Sequence, residues 1–334
     1  MNILIVGAGL YGAVLARALA EKGHHIHIIE QRDHIAGNCF DEINKYGIRV
    51  HRYGPHIFHT ANEFVIDYVK RFADWHAYRH QVRAILADGT LVPLPVNRET
   101  LRHVPKERVI DIFFRPYTLK MWGVPLEELD PSILARVPID PDAPDDYFPK
   151  DPFVGFPIGG YTAFVEEILR HPNITIALQT LYRRGVEEAF DYCFNAMPID
   201  AFFEFDLGRL PYRSIKFHTI DVPVARLLTH PVVNFTDDGP MTRVTEWKNF
   251  PGHGAVTAWT SLTFEEPCAD HENAFERYYP VKDRDGENRA LYKRYHARVP
   301  ARMRFIGRTG LYAYLDMHQA ISSALALADE FHHK

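Results

Sequence analysis

The chain of 334 residues contains little cysteine and no long apolar run, and each lack excludes a class of protein. Its three cysteines, Cys39, Cys193 and Cys268, lie far apart, so their spacing fits neither a disulfide framework nor a metal site. No apolar stretch approaches the roughly 20 residues that a membrane-spanning helix needs. A strand pattern begins at residue 2, which leaves no room for a signal peptide, and we therefore expect a cytoplasmic protein that binds no membrane.

Charge and histidine content argue against two further kinds of partner. The net charge of -5 gives no electrostatic basis for binding nucleic acid or an anionic membrane. Nineteen histidines are present, and His51, His56 and His59 form a cluster in the sequence. This cluster has no cysteine or carboxylate beside it at ligand spacing, so we expect no metal site.

The first 30 residues carry the strongest pattern of the chain. It consists of an apolar strand at 2–6, a turn that contains Gly7, Gly9, Leu10 and Gly12, a helix at 13–22, and a strand at 25–29 that ends at Glu30. Such glycines let backbone N–H groups approach a pyrophosphate, and the acid accepts a hydrogen bond from a ribose hydroxyl. The order predicts an ADP-containing dinucleotide, with an α/β core that binds no nucleotide as the alternative. Because Glu30 would repel a 2′-phosphate, NADP is disfavoured, and FAD and NAD remain.

The rest of the chain does not continue as a doubly wound sheet. Asp88-Gly89 lies between β-branched flanks and predicts a hairpin over 82–94. Other patterns predict a helix at 104–122, a loop rich in Pro and Asp at 138–157, a helix at 162–171, an antiparallel sheet at 212–263, a strand at 303–306 and a helix at 316–330.

A dinucleotide-binding fold whose last strand and helix come from the C-terminus is assembled from both ends of the chain. This arrangement is common in FAD proteins and unusual in simple NAD dehydrogenases, so it favours FAD. We predict an α/β fold with a Rossmann-like FAD-binding domain, a small inserted helical domain and an antiparallel β-sheet domain. The expected boundaries are 1–60, 155–200 and 300–334 for the first, 97–150 for the helical substrate domain with a mobile loop, and 61–96 and 201–299 for the sheet domain.

Motifs along the whole chain resemble those of the flavin-dependent UDP-galactopyranose mutases of bacteria. The matching runs are the glycine turn with Glu30, YGPHIFHT at 53–60, PYTLKMWG at 116–123, FPIGGYT at 156–162, VNFTD at 233–237, TR at 242–243, YYPV at 278–281 and DMHQ at 316–319. The glycine turn belongs to many flavoproteins. The runs at 53–60, 116–123 and 316–319 are far more specific to the mutases.

The resemblance implies an isomerase. In the family, flavin N5 of reduced FAD attacks the anomeric carbon of UDP-galactopyranose and expels UDP, and the sugar recloses as the furanose. The resemblance therefore implies FAD in its reduced form, an external flavin reductant, a nucleotide-sugar substrate and a homodimer. Such a product would normally be used for a cell-surface polysaccharide or a natural product.

The family's site residues fall on named positions here. Arg136 and Arg243 match two arginines that bind the diphosphate, and Arg136 lies in a segment that closes over substrate in the family. Positions that hold the uridine end match Phe113, Tyr117, Trp122, Tyr147 and Asn234, whereas Tyr279 and Tyr314 match tyrosines that contact the diphosphate or the sugar. Flavin-side positions match His56, His59, Arg32, Asn38, Arg308 and Asp316.

Some departures from the family concern substrate recognition. The region at 98–115 is shorter than the family's helical region, which carries nucleotide-recognition residues and contributes to the dimer. Asp140 replaces an arginine, and Tyr314-Leu315 replaces a tyrosine pair. A mutase for a dTDP-6-deoxyhexose, an N-acetylated sugar or another nucleotide sugar is therefore an alternative. From a different class, an FAD-dependent oxidoreductase similar to amine oxidases is also open, although paired anion-binding arginines argue against it.

Overall fold

The computed structural model describes residues 1–128 and 139–332. The strands are β1 (Asn2–Val6), β2 (His25–Ile29), β3 (Asp41–Ile43), β4 (Arg49–His51), β5 (Phe58–Thr60), β6 (Trp75–Ala77), β7 (Val82–Ile85), β8 (Leu91–Leu94), β9 (Phe153–Pro157), β10 (Ile174–Ala177), β11 (Tyr192–Asn195), β12 (Tyr212–Val222), β13 (Val232–Phe235), β14 (Arg243–Glu246), β15 (Thr260–Ala269), β16 (Tyr279–Pro280) and β17 (Met303–Phe305). The helices are α1 (Leu10–Glu21), α2 (Glu63–Lys70), α3 (Arg98–His103), α4 (Arg115–Trp122), α5 (Gly160–Leu169), α6 (Ile199–Phe202), α7 (Glu287–His296), α8 (Gly307–Gly310) and α9 (Met317–His332).

A parallel five-stranded sheet holds the predicted dinucleotide turn. Its order is β10-β2-β1-β11-β17, and every neighbouring pair is parallel. The apolar runs of β1 and β2 are buried because helices cover the sheet, and α1 packs against both α9 and α5. The predicted strands at 2–6, 25–29 and 303–306 are thereby confirmed. The last strand, β17, completes one edge of this sheet, and the last helix, α9, packs against α1.

A seven-stranded sheet of order β16-β12-β15-β14-β13-β7-β8 forms the second layer. The hairpin of β7 and β8 is confirmed, and β12, β14 and β15 pair in the predicted antiparallel manner. One pair differs from the prediction, because β13 lies parallel to β7, which is far away in the sequence. Alternation of apolar and polar residues indicates a strand but not its partner, so this pairing could not be deduced from the pattern.

Two predicted elements differ in the structure. The end of the expected loop at 138–157 is the strand β9, which pairs on both sides with β5 and β6. The helix expected at 104–122 is divided into a 3₁₀ turn at Lys106–Arg108, a π-helical turn at Ile110–Phe114 and α4. Pro116, in the first turn of α4, lacks the N–H that would continue a regular helix from the preceding turn, which explains the boundary between the π-helical turn and α4.

The domain boundaries stay a prediction, since secondary structure alone does not divide the chain. The described residues include no helix long and apolar enough to span a bilayer.

Candidate functional site

The glycine turn is built for close approach of backbone to a ligand. Gly7 has a φ of +106°, which an L-residue with a side chain adopts only with strain. A Cβ on Gly12 would lie 2.1 Å from the carbonyl oxygen of Gly7. A Cβ on Gly37, in a second loop, would lie 2.9 Å from Gly9 Cα. Gly9 precedes α1 and offers no capping side chain, so the N–H groups of the first helical turn remain available to a pyrophosphate.

Glu30 is anchored beside that turn. Its side chain accepts the N–H of Ala8 at 2.8 Å and the N–H of Arg32 at 2.9 Å, and the residue is 7% exposed. Each carboxylate oxygen has a second lone pair, so the group can still accept a ribose hydroxyl. The donor and acceptor set therefore fits the ADP half of a dinucleotide.

Arg32 and Asn38 contact each other next to this anchor. Arg32 donates to Asn38 Oδ1 at 3.0 Å, and its Nη2 lies 2.7 Å from a carboxylate oxygen of Glu276. The guanidinium also stacks over the ring of Tyr53 at 4.3 Å. These contacts join the cofactor side of the molecule to residues near the seven-stranded sheet.

A cavity of about 430 Å³ brings together most of the remaining predicted site residues. Its walls include His56, His59, Phe113, Tyr117, Trp122, Tyr147, Asn234, Arg243, Tyr279, Arg308, Tyr314 and Asp316. The predicted residues of the dinucleotide turn, together with Glu30, Arg32 and Asn38, do not line this cavity. Arg136 lies outside the described residues.

Gly307 connects the two regions. A Cβ on Gly307 would lie 3.9 Å from Tyr11 Cβ, in the first turn of α1, whereas its neighbour Arg308 lines the cavity. The path from the glycine turn to the cavity is therefore short, and one extended cofactor can contact both.

Arg243 is the central cation of the cavity. It begins β14 and faces Glu265 on β15 in the antiparallel register, with Nε 3.1 Å from a carboxylate oxygen of Glu265. Its Nη2 donates to the hydroxyl of Tyr117 at 3.2 Å. Burial raises the pKa of Glu265, and the charge of Arg243 opposes that rise. Glu265 Oε1 and Asn234 Oδ1 are among the buried polar atoms of the described residues that have no hydrogen-bond partner, and both residues line the cavity, where a ligand could supply one.

A stack of aromatic rings closes the cavity beside Arg308. Tyr279 and Tyr314 have ring centroids 5.6 Å apart and lie nearly parallel, and the Arg308 guanidinium lies 5.0 Å from the Tyr314 ring. Arg308 is held by the carbonyl oxygen of Leu315 at 2.8 Å. Burial raises the pKa of Tyr279, so this hydroxyl stays protonated and can donate to an anion.

The protonation state of His56 follows from its partners. Burial lowers the pKa of His56 to about 4, so the ring is neutral at pH 7. Its Nδ1 lies 2.9 Å from the carbonyl oxygen of Gly54, which can only accept. Nδ1 therefore carries the proton, and Nε2 is an acceptor.

His59 is oriented by a carboxylate that the sequence analysis missed. Its Nδ1 lies 2.6 Å from Asp151 Oδ2, and its ring stacks on Phe148 with centroids 3.7 Å apart.

Three further residues that line the cavity were not predicted as site residues. They are Glu265, His80 and His318. His318 stands inside the matched DMHQ run, so a signal for it existed. Glu265 could be found only from the strand register.

Because several histidines are buried in the neutral form, we expect the free energy of unfolding to depend on pH. Burial lowers the pKa of His56 and His253 to about 4 and of His80 to about 3, whereas an unfolded histidine titrates near about 6.5. The unfolded state therefore binds more protons between about pH 4 and 6.5. The free energy of unfolding should rise with pH across this window, by up to about 1.4 kcal/mol per pH unit for each histidine. Thermal denaturation at pH 5 and at pH 7.5 measures the difference.

The exposed His103 provides a control for this dependence. His103→Gln should leave the slope of the free energy of unfolding against pH unchanged. His80→Phe removes one of the buried histidines and should make this slope smaller. Equal thermal midpoints of the wild-type protein at the two pH values would contradict the burial of neutral histidines.

Metal-ligating residues do not converge in the described part of the chain. No group of three or more His, Cys, Asp or Glu side chains there could hold an ion.

Comparison with known proteins identifies matches over nearly the whole chain. A family model for UDP-galactopyranose mutase matches residues 112–314, and one for an NAD(P)-binding Rossmann-like domain matches residues 5–72. A probable UDP-galactopyranose mutase of Klebsiella pneumoniae is 36% identical, over 99% of this chain and 94% of that protein. A dTDP-fucopyranose mutase of Escherichia coli is 33% identical, over 98% and 97%.

Solved structures give the same picture of the fold. A reduced UDP-galactopyranose mutase superposes with a TM-score of 0.78, covering 99% of this chain and 95% of that one, at 18% identity. A putrescine oxidase variant superposes with a TM-score of 0.58 at 13% identity, covering 99% and 98%. The alignment with the Klebsiella protein spans 371 positions, so that relative has residues that these 334 lack.

Proposed function

The chain belongs to the UDP-galactopyranose mutase family, whose members are isomerases, and we propose that it interconverts UDP-galactopyranose and UDP-galactofuranose with reduced FAD. The observation that carries this proposal is the position of Arg243, a guanidinium in a cavity walled by tyrosines. A leaving diphosphate develops negative charge, and a fixed guanidinium stabilises that charge through directed hydrogen bonds.

Glu265 supports this role by holding the cation in place. The carboxylate forms an ion pair with Arg243, with Nε 3.1 Å from an oxygen of Glu265, while Nη2 is bonded to Tyr117 in the cavity wall. A guanidinium fixed before substrate arrives costs little reorganisation when the diphosphate binds. We propose that Arg136 supplies the second cation at the diphosphate.

The apolar and amide groups of the cavity suit the nucleoside end. Phe113 and Tyr117 offer aromatic surface, and the unpartnered Asn234 Oδ1 can accept a hydrogen bond from the imide N–H of uracil or thymine. We assign these residues, with Trp122 and Tyr147, to the nucleoside, and Tyr279 and Tyr314 to the diphosphate or the sugar.

The glycine turn, Glu30 and the short path through Gly307 support FAD as the cofactor. Reduced FAD, when bound, would supply a nucleophilic N5 nitrogen for the anomeric carbon. Around it we propose that Arg308 and Asp316 hold the flavin side, and that the unprotonated Nε2 of His56 accepts a hydrogen bond from flavin or sugar. An external reductant would keep the flavin reduced, and we propose a homodimer, which light scattering can measure.

A dTDP-6-deoxyhexose is the second candidate substrate. The observation in its favour is the dTDP-fucopyranose mutase, whose 33% identity nearly equals the 36% of the UDP-galactopyranose relative. An N-acetylated sugar is a further candidate, which a substrate panel tests.

The test of the proposed function combines cofactor release with a substrate panel. Heat-released cofactor is identified by chromatography. The dithionite-reduced enzyme is then incubated anaerobically with UDP-galactofuranose, dTDP-fucofuranose and UDP-N-acetylgalactofuranose in parallel. We expect FAD, and the highest kcat/KM for conversion of UDP-galactofuranose to the pyranose. Faster conversion of either other sugar would move the assignment to that substrate.

The oxidoreductase alternative makes a different prediction in the same preparation. An amine oxidase would reduce its flavin with an amine and consume oxygen. The nucleotide-sugar motifs of the chain predict no amine substrate, so we expect no bleaching of oxidised flavin by amines. Failure of all nucleotide sugars together with amine-dependent bleaching would favour the oxidase.

Asp151 provides a prediction about the orientation of His59. Asp151→Ala removes the acceptor for Nδ1, so the imidazole can rotate and kcat should fall about 10- to 100-fold, with flavin content unchanged. Asp151→Asn retains an acceptor oxygen and should lose less. The control is Asp146→Ala, which removes an ion pair with the exposed Arg79 and should leave kcat unchanged. Equal kcat values for Asp151→Ala and the wild type would show that Asp151 does not position His59.

A further inference from the structure

We propose that His51 and His253 are positioning residues that fix His56 in the cavity wall. They do so through a chain of hydrogen bonds in which each imidazole accepts a hydrogen bond at one nitrogen and donates one from the other. The inference rests on the proposed function for the role of His56, while the chain itself is a property of the fold. Both residues are buried, with exposures of 1% for His51 and 2% for His253, and neither lines the cavity.

The direction of the chain follows from its two ends. At one end, the backbone N–H of His56 donates to Nδ1 of His51 at 3.2 Å, so Nδ1 of His51 carries no proton. At the other end, Nδ1 of His253 lies 2.9 Å from the carbonyl oxygen of Pro251, which only accepts, so Nδ1 of His253 carries the proton. A neutral imidazole carries a single N–H proton. In His51 this proton is therefore on Nε2, whereas in His253 Nε2 is unprotonated and can accept a hydrogen bond.

The contact between the two histidines agrees with this assignment. Their Nε2 atoms lie 2.8 Å apart, a distance that needs one proton between them. Because Nδ1 of His253 is protonated, the 2.8 Å contact requires Nε2–H on His51, which leaves Nδ1 of His51 to accept the N–H of His56. Burial lowers the pKa of both rings, which keeps them neutral and preserves the single direction.

Aromatic walls hold the pair in place. His51 lies 4.9 Å from the ring of Trp247 and 5.5 Å from that of Tyr161, and His253 lies 4.8 Å from that of Phe156. These contacts restrict rotation of either imidazole. Since Phe156 and Tyr161 lie at β9 and the start of α5, the chain links His56 to the framework of the fold.

The consequence for His56 is that it is fixed at two points. Its backbone N–H is held by His51, and its ring Nδ1–H is held by the carbonyl oxygen of Gly54. The remaining Nε2 lone pair then has one orientation in the wall of the cavity. If His253 could not accept, the proton of His51 could move to Nδ1, and the backbone N–H of His56 would lose its acceptor.

Two substitutions of His253 separate this role from packing. His253→Phe retains an aromatic ring but offers no acceptor, whereas His253→Gln places an amide oxygen near the position of Nε2. In FAD-loaded wild-type enzyme, ¹⁵N NMR of the imidazoles should show His51 protonated at Nε2. In His253→Phe, His51 should gain the Nδ1–H form, and kcat should fall about 10- to 100-fold with KM changed less than about twofold. In His253→Gln, both properties should stay close to wild type.

Three results would overturn the proposal. They are an Nδ1–H form of His51 in the wild type, a kcat for His253→Phe within twofold of wild type, and no recovery of kcat in His253→Gln. If His253→Phe does not load flavin, His253→Asn, which has no acceptor near the position of Nε2, has the same expected outcome. The exposed His103→Phe should change neither property. The NMR result does not depend on turnover, so loss of all mutase activity in the wild type would reject the proposed function separately from the hydrogen-bond chain.

Discussion

Replacing Arg243 by alanine should abolish sugar turnover while leaving the flavin bound. The guanidinium is bonded to Tyr117, and Arg243 pairs in register with Asn234, where we place the nucleotide; loss of one such group costs about 100- to 1,000-fold in kcat. Flavin content should stay near wild type, because the glycine turn and Glu30, which we assign to the ADP half of the cofactor, do not line this cavity. Initial rates and the flavin-to-protein absorbance ratio measure both effects.

The partner of Arg243 requires a matched variant. Arg243→Ala leaves the buried Glu265 unpaired, which destabilises a protein by about 3–5 kcal/mol. The double variant Arg243→Ala, Glu265→Gln removes both charges. We expect it to be more stable than Arg243→Ala but equally inactive in sugar turnover. Arg304→Ala, in an exposed pair with Glu330, is the control and should retain full activity. Wild-type turnover in folded Arg243→Ala would remove Arg243 from the site.

Replacing Gly12 by alanine should prevent cofactor binding. A Cβ at this position would lie 2.1 Å from the carbonyl oxygen of Gly7, and backbone cannot move aside as a flexible side chain can. The turn between β1 and α1 must therefore open, which displaces the N–H groups that would face the pyrophosphate. We expect a colourless protein with a lowered thermal midpoint.

The control for this substitution is Gly254→Ala. Its Cβ would meet its nearest neighbour, the carbonyl oxygen of Lys248, at an ordinary distance of 3.7 Å, so the protein should stay yellow and stable. A fully flavin-loaded Gly12→Ala protein with wild-type activity would show that the turn tolerates a side chain and would contradict the account of the cofactor site.

Local patterns were sufficient for the parts of the fold that depend on neighbours in sequence. The apolar run at 2–6, the glycines after it and Glu30 predicted β1, the turn and the acid beside it, because each works within one βαβ unit. Asp88-Gly89 predicted its hairpin for the same reason. The resemblance to the mutases then supplied residues far apart in the chain, and the fold brings twelve of them to one cavity.

Pairing at long range could not be predicted. Glu265 is identified by its register with Arg243, and Asp151 by its 2.6 Å contact with His59, 92 residues away. The strand β9 looked like loop because proline and aspartate precede it, but pairing with β5 and β6 outweighs that local signal. The chain from His56 to His253 likewise joins residues that are about 200 apart in sequence, so no spacing rule finds it.

We propose that this enzyme uses reduced flavin without consuming it. The most direct measurement compares the oxidised and the dithionite-reduced holoenzyme, under anaerobic conditions, for conversion of UDP-galactofuranose to UDP-galactopyranose. We expect the reduced enzyme to convert many sugar molecules per flavin and to contain reduced flavin when the reaction stops. The oxidised enzyme should convert none, and its activity should return after it is reduced again. Conversion by oxidised enzyme, or reoxidation of one flavin for each sugar converted, would contradict this proposal.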